Sequence, residues 1–537
     1  MMLETFFDGF SHVVPTVPPS WQGLYTKGSS DGHAPSWQLA AYPLPLPDEI
    51  TAKLLALGES LQWFLETLDQ LYEASWKQTS PDEVPSWVAQ WLDQGKPEAI
   101  IALARHKKQK QHQPLVIRPD LLWGTDNHLT LCEIDAIPGG LGFTQALQSY
   151  YHAHCPEGMP YAPFVGMPFD NDASCGASYR MAHLWLQAIR ASIEVGLSPK
   201  RQQACYARGQ CYPYVVICIS DEATDYKEEW HYWVETALGG FAKSGVVCLH
   251  PKDLFPQADG LYFHYEGEAH RVDVLYRFFE CFDVASLPQS ELILHAIKKQ
   301  WLVCTPPVKP HLEEKLMSAL WHHPILRPFW ERAWKKAYAS HPALKETMNV
   351  LDTLIPLTWV LDPAPLPASA VYTPTLNYQG KPLNTWDALK KASQKERHWV
   401  IKPSGFSPEA WGSRGVVIGH DHASEYWAEA IDHALHSFSK TPHVLQPYHK
   451  PQVIAWHTLH FKPMPTVAAP QVPAQALEPV VEPFEARIRL CPYYIVHPVT
   501  RQVTLAGVLA TGCPKDKKII HGMKDAILAP VSLASSL

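Results

Sequence analysis

Apolar positions along the chain change period several times, and each change predicts a different element. From Ile50 to Ala74, Leu54, Leu55, Leu57, Leu61, Phe64, Leu65 and Leu68 recur at helical spacing, a crowded stripe that predicts a core-packing helix. From Leu115 to Ile137 two short apolar runs, LVIRPDLLW and LTLCEIDAI, flank Gly124, Thr125, Asp126, Asn127 and His128, the pattern of a β-hairpin. With Thr125 to His128 as the connection, the register pairs Leu122 with Leu131, Asp120 with Glu133 and Arg118 with Asp135, all on one face.

Between Tyr212 and Asp283 the strand-like YVVICIS, the helix-like KEEWHYWVETALGGFAKSG, the strand-like VVCLH and then VDVLYRFFE predict a βαβ unit with a parallel sheet. Helical segments follow from Glu291 to His341. A further α/β unit begins near Val350, with the strand-like HWVIKPSGF, a helix from Ala423 to Phe438 and the strand-like HVLQPY. The Pro, Ala and Val-rich stretch 463–484 reads as an exposed loop interrupting a sheet that ARIRLCPYYIV and VTLAGVLAT resume. The expected class is α/β (α+β). Its expected organisation is a helical region 1–110, a hairpin-bearing part 111–205, an inserted βαβ unit 206–290, a helical segment 291–345 and a last part 346–537.

Composition narrows the function. At 537 residues the chain exceeds one ordinary core, and 46% hydrophobic against 18% charged residues excludes a disordered chain. A net charge of −8, not gathered into blocks, argues against a nucleic-acid surface, and the run Lys107, Lys108, Lys110 reads as a solvated helix end or loop. No apolar stretch is long enough for a bilayer, and MMLETFFDGF lacks the plan of a secretory signal. The expectation is a cytoplasmic protein without a membrane partner. Eleven Cys without paired spacing read as free thiols, and because the first is Cys132 a cysteine amidase at the N-terminus is not expected. CxxC, HExxH and the P-loop pattern do not occur. His322 and His323 read as packing or helix-end residues.

Arg118, Asp120, Glu133 and Asp135 place three carboxylates and a guanidinium on two apolar strands, a costly arrangement unless a cation joins it. Oxygen ligands of this kind suit Mg²⁺, and Arg118 would then stabilise charge on a transferred phosphoryl group. The alternative is a structural ion-pair network at a sheet edge marked by Pro119. Lys402 ends a strand and precedes a loop containing Gly405, Gly412 and Gly415, where backbone N–H groups can approach phosphate oxygens. A plain hairpin loop is the competing reading.

The segment RPDLLWGTDNHLTLCEIDAIP resembles the glutathionylspermidine synthase group, whose pattern is Arg-x-Asp followed by Glu-x-Asn and Pro. Asp135 stands where that group has Asn, and the GGLG of Gly139 to Gly142 replaces a polar run. The resemblance continues through VDVLYRFFE, KPHLEEKLMSALWHHP and the Lys-Pro and Gln segments, over residues 115 to 510. Carboxylates ahead of the nucleotide lysine imply a circularly permuted ATP-grasp fold with the βαβ unit as its inserted substrate domain. The resemblance implies metal ligands at Asp120, Glu133 and Asp135 and a catalytic Arg118. It implies ATP held by Lys402 and by a flap with Gly412, Ser413, Arg414 and Gly415. Gln446 would lie beside the adenine, and Lys315 is either a nucleotide contact or a surface residue. The offset of Lys450 differs from that group's lysine. The activity implied is an ATP- and Mg²⁺-dependent ligase that joins a small-molecule or peptide carboxylate to an amine through an acyl phosphate. Phosphorylation of a small molecule on the same scaffold, and nucleotide binding without catalysis, are the alternatives.

Overall fold

The computed structural model describes residues 37–80, 82–110, 112–135, 137–154, 179–206, 212–364, 376–383, 385–463, 477–521 and 525–533. The fold is mixed α/β with several separate sheets. The largest has eight strands: Val453–Pro463, Gln38–Ala40, Ile527–Leu533, Val503–Pro514, Leu477–Val496, Val116–Trp123 and Leu129–Asp135 in spatial order, with Leu44–Leu46 also on Ile527–Leu533. Its longest strand, Leu477–Val496, pairs through its first half with Val453–Pro463 and through its second with Val503–Pro514. Residues 477–484, expected in a loop, are therefore strand, held in register from Pro463–Leu477 to Val453–Arg487. Prolines 479 and 483 hid this strand by breaking its apolar alternation. The remainder of the expected loop, 464–476, lies outside the described residues.

The helix Asp48–Lys77 packs on this sheet and buries Ile50, Leu54, Leu57, Leu61, Phe64, Leu65 and Leu68. Leu55, expected in the same stripe, points outward and is 59% exposed. Trp63 and Phe64 of the helix meet Trp321 and Trp330, which joins the helical residues 316–340 to the same core. His322 Nε2–H donates to Ile355 O at 2.8 Å, and His323 is buried against Trp87. Both are packing residues.

The expected parallel sheet is present, in spatial order Val303–Thr305, Val274–Phe278, Val215–Ile219 and Val246–Leu249. The helix-like stretch between Val215–Ile219 and Val246–Leu249 is the short helix Lys227–His231, a wider π-turn Tyr232–Ala237 and the turn Phe241–Ser244. A three-stranded sheet, Phe255–Gln257, Gly260–Tyr265 and Glu268–Arg271, interposes before Val274 and was not anticipated. A four-stranded antiparallel sheet takes Trp359–Val360, His443–Pro447, Trp399–Pro403 and Val417–Ile418 in that order, flanked by the helix Ser424–Ser437. No described helix is long and apolar enough to cross a membrane. Every described cysteine is a free thiol.

Burial holds the imidazoles of His112, His323 and His443 down at about 4. Their folded values lie below the unfolded one, so the unfolded chain binds more protons in this range and stability must fall as pH falls. We expect the melting temperature to drop most steeply between about pH 6.5 and about pH 4. Replacing His443 with Gln should flatten that slope in a pH series of thermal melts.

Candidate functional site

The carboxylate hairpin consists of Val116–Trp123 and the edge strand Leu129–Asp135. Its connection is five residues long, closed by Gly124 N–H donating to His128 O at 2.8 Å, and the register near the turn pairs Leu121 with Leu131 and Leu122 with Thr130. The expected pair Leu122–Leu131 is thus displaced by one. A bulge at Cys132 then inserts an extra residue, so that Asp120 faces Glu133 and Arg118 faces Asp135 as expected. The bulge also frees the Cys132 carbonyl from the ladder, and Lys402 Nζ reaches it at 3.4 Å. Bulges of this kind re-aim side chains beside sites.

Pro119 does not mark the sheet edge, because its strand is interior. It lies opposite Pro492, between the pairs Leu490–Leu121 and Tyr494–Ile117, so the residue that cannot donate meets another that cannot. This leaves no stranded N–H.

Across the hairpin stands the small antiparallel sheet. Val400 pairs with Gln446 and Lys402 with Val444, and Val400, Lys402, Gln446 and Ile418 face Asp120, Thr130, Glu133 and Arg489 over a cleft of about 860 Å³ including its mouth. The flap after Lys402 forms the turn Pro408–Ser413 and returns as Val417–Ile418, so Ala410, Ser413 and Val416 roof the cleft. Lys315 closes one end, paired with Glu133 at 3.0 Å and donating to Ala410 O at 3.4 Å. Gln446 is buried and donates to Thr358 Oγ1 at 2.9 Å.

Gly405 at the flap root packs so closely on Glu313 that an added Cβ would lie 1.8 Å from its carbonyl oxygen. Gly405→Ala is therefore expected to destabilise the protein by about 1–3 kcal/mol, read as a lower urea midpoint.

The charges of the site are interlocked. Arg118 donates to Asp120 at 3.0 Å and to Gly139 O at 3.0 Å and pairs with Asp135 at 2.8 Å. Arg489 pairs with the other Asp120 oxygen at 2.8 Å. Burial works to lower Arg118, but Asp120 and Asp135 outweigh it and keep the guanidinium firmly charged. Burial works to raise Glu133, yet Lys315, with Lys402 and Arg118 behind it, holds its carboxyl at about 2. Asp135 is raised, because burial and its neighbours Glu133 and Asp120 exceed the pull of Arg118.

Among the described residues no three His, Cys, Asp or Glu side chains close on one point, so the expected three-carboxylate metal set is not assembled in this arrangement. Asp120, wholly engaged by two guanidiniums, is the member that does not fit. Glu133 and Asp135, both lining the next pocket, fit a cation that completes its shell with phosphate oxygens and water.

Two further pockets continue from the cleft. Glu133 and Lys315 are shared with an acidic one that also presents Asp135, Glu280, Glu313 and Glu314. Asp135, Glu280 and Phe282 are shared in turn with a third pocket, walled by Tyr226, Phe278 and Phe279 and bearing Glu222 and Asp283. That pocket lies beyond the carboxyl ends of Val215–Ile219 and Val274–Phe278, the neighbours at which the order of the parallel sheet reverses, where open α/β sheets bind ligands. Burial, then Glu313 and Asp135, raise the Glu280 carboxyl well above its usual range. Burial and Glu222 raise Asp283 to about 6.

Asp120, Glu133, Lys315, Lys402, Ser413 and Gln446 thus share one cleft, whereas Asp135 and Arg414 line the third pocket. Arg118 lies on the same hairpin face and ties Asp120 to Asp135. Gly412 lies in the Pro408–Ser413 turn, and Gly415 seats against Pro403 and Glu409. Arg489 was missed. Its Nε has no hydrogen-bond partner among the described residues although the residue lines the cleft, and its signal was two arginines, 487 and 489, at strand period inside the apolar run ARIRLCPYYIV. Glu280 and Asp283 were also missed, because nothing local marks the end of VDVLYRFFE as a pocket wall.

No family model and no curated protein matches the chain. Among solved structures it is similar to a glutathione synthetase-like effector from Globodera pallida in its apo form, with 11% identity, 99% of this chain and 97% of that one covered and a TM-score of 0.46. It is also similar to a putative gamma-glutamylcysteine synthetase from Methylobacillus flagellatus, with 8% identity, 85% of this chain and 89% of that one covered and a TM-score of 0.35.

Proposed function

We propose that this chain is a cytoplasmic ATP-dependent carboxylate–amine ligase on a circularly permuted ATP-grasp scaffold, resembling the glutathionylspermidine synthase group. The observation that carries the reading is the cleft between the sheets. A strand-end lysine, a buried amide and a roofing flap on one side face a carboxylate hairpin and an arginine on the other. In the proposed complex the adenine lies toward Gln446 and Pro447, and the phosphates toward Lys402, Lys315 and Arg489.

Glu133 and Asp135 would hold Mg²⁺, which when bound draws charge from the transferred phosphoryl group. Lys402 and Lys315 neutralise phosphate oxygens, Asp120 fixes Arg489 toward them, and Arg118 ties Asp120 to Asp135 so that the hairpin face keeps its shape. A substrate carboxylate attacks the γ-phosphate in line, releasing ADP, and the amine displaces phosphate from the acyl phosphate to form an amide. The third pocket is the amine site: carboxylates attract an ammonium and aromatic faces favour it further.

Asp283, at about 6, gains its charge as pH rises. Amine-dependent ADP release is therefore expected to climb from about pH 5 to about pH 7, and Asp283→Asn to lose that part of the rise.

The test of the reaction is mass spectrometry of products from a panel of carboxylates and amines with ATP. An adduct formed with loss of water, beside ADP and phosphate, supports the ligase; a phosphorylated small molecule beside ADP replaces it with a kinase. Nucleotide binding without catalysis is the second reading, favoured by one observation: Asp120 and Glu133 are each already paired with a cation of the protein itself. Tight nucleotide binding with no ADP release across the panel would select it.

A further inference from the structure

One buried charge connects the N-terminal region to the cleft. Lys96 occupies the turn between the helices Trp87–Asp93 and Glu98–Ala104. Its side chain is 0% exposed and pairs with Glu314, whose side chain is 1% exposed. The other Glu314 oxygen accepts from the Ser404 hydroxyl and from Gly405 N–H, the latter at 2.8 Å. Ser404 Oγ accepts in turn from Leu316 N–H at 3.2 Å. The Lys96 ammonium also stands 5.5 Å from the ring centre of Phe406.

These partners surround both cleft lysines. Ser404, Gly405 and Phe406 form the flap root directly after Lys402 and Pro403, while Lys315 lies between Glu314 and Leu316. The turn itself is wedged in place. Gly95 has a φ of +71°, and a Cβ there would fall 1.8 Å from Lys440 O, in the segment leading to the strand that carries Gln446.

We infer that Lys96 is a positioning residue for nucleotide binding: through Glu314 it fixes the flap root and with it the placement of Lys402 and Lys315. The inference rests on the proposed nucleotide reading of the cleft. An unpaired buried carboxylate is costly. Without Lys96, Glu314 takes up a proton or draws in water, and in either case its grip on Ser404 and Gly405 changes. The ion pair therefore makes this part of the N-terminal region a piece of the nucleotide site.

The test titrates the full-length chain with Mg²⁺ and the non-hydrolysable imido analogue of ATP in a calorimeter. Wild type, Lys96→Met and the double variant Lys96→Met/Glu314→Gln are compared, each with its melting temperature measured without nucleotide. Lys96→Met is expected to bind at least about tenfold more weakly, and the double variant to return to within about threefold of wild type, because a neutral amide accepts the same two hydrogen bonds without needing a counter-charge. Should Lys96→Met not fold, Lys96→Met/Glu314→Ala, which removes the link to Ser404 and Gly405 without leaving a buried charge, takes its place: binding at least about tenfold weaker than wild type supports the inference, and binding within about threefold of wild type overturns it. A lowered melting temperature with unchanged affinity shows a purely structural ion pair and overturns it too. Wild type that fails to bind the analogue overturns the nucleotide reading and the inference together, whereas wild-type binding that Lys96→Met retains overturns the inference alone.

Discussion

Lys402→Met is expected to remove almost all stabilisation by nucleotide. Wild type with Mg²⁺ and a non-hydrolysable ATP analogue at about a hundred times its dissociation constant should gain about 2.7 kcal/mol. Losing a charge-assisted phosphate contact of about 3 kcal/mol weakens binding roughly 150-fold. At the same ligand concentration the gain then falls to a few tenths of a kcal/mol. Lys402 sits at the strand end facing the hairpin, where among the described residues its ammonium donates to the Cys132 carbonyl alone, at a long 3.4 Å. Its removal should therefore leave the melting temperature without nucleotide nearly unchanged. Thermal melts of both proteins with and without the analogue check both halves of this expectation.

Asp120→Ala is expected to cause the largest loss of intrinsic stability, about 3–5 kcal/mol. Asp120 is 1% exposed and answers both Arg118 and Arg489. Removing it brings two guanidiniums together with no carboxylate between them, leaving Asp135 to hold Arg118 alone. The surface pair Lys515–Glu485, with both side chains more than half exposed, provides the contrast: Glu485→Ala should change stability by less than about 1 kcal/mol. Urea unfolding with unchanged slope would show both as differences in midpoint. Equal small effects would mean that water reaches the Asp120 site.

The contrast between these residues also shows what the sequence made legible. Local spacing was enough for the helix over Ile50–Ala74, for the parallel strands around Val215 and Val274, and for the facing of Asp120 with Glu133 and Arg118 with Asp135. It was not enough for the bulge at Cys132, since a five-residue connection and an extra residue offset each other and leave the same pairs facing. Arg489 was out of reach for a different reason: its partner Asp120 lies far away in sequence, and only the pairing of Leu477–Val496 with Val116–Trp123 brings them together. The strand 477–484 was hidden by its prolines. Arg414 was expected to reach a phosphate because it lies in the flap, but the fold turns that part of the flap toward the carboxylate and aromatic pocket. Loop spacing carries no information about which side a loop presents.

The proposed nucleotide lies between the eight-stranded sheet and the four-stranded antiparallel one, with its base beside Gln446. Photolabelling the full-length chain with an azidoadenine analogue of ATP and mapping the modified peptide tests this most directly. Label is expected within residues 443–452 or on the facing flap 408–418, suppressed by excess ATP with Mg²⁺ and lost in Lys402→Met. Label that maps elsewhere, or that ATP does not suppress, would contradict it.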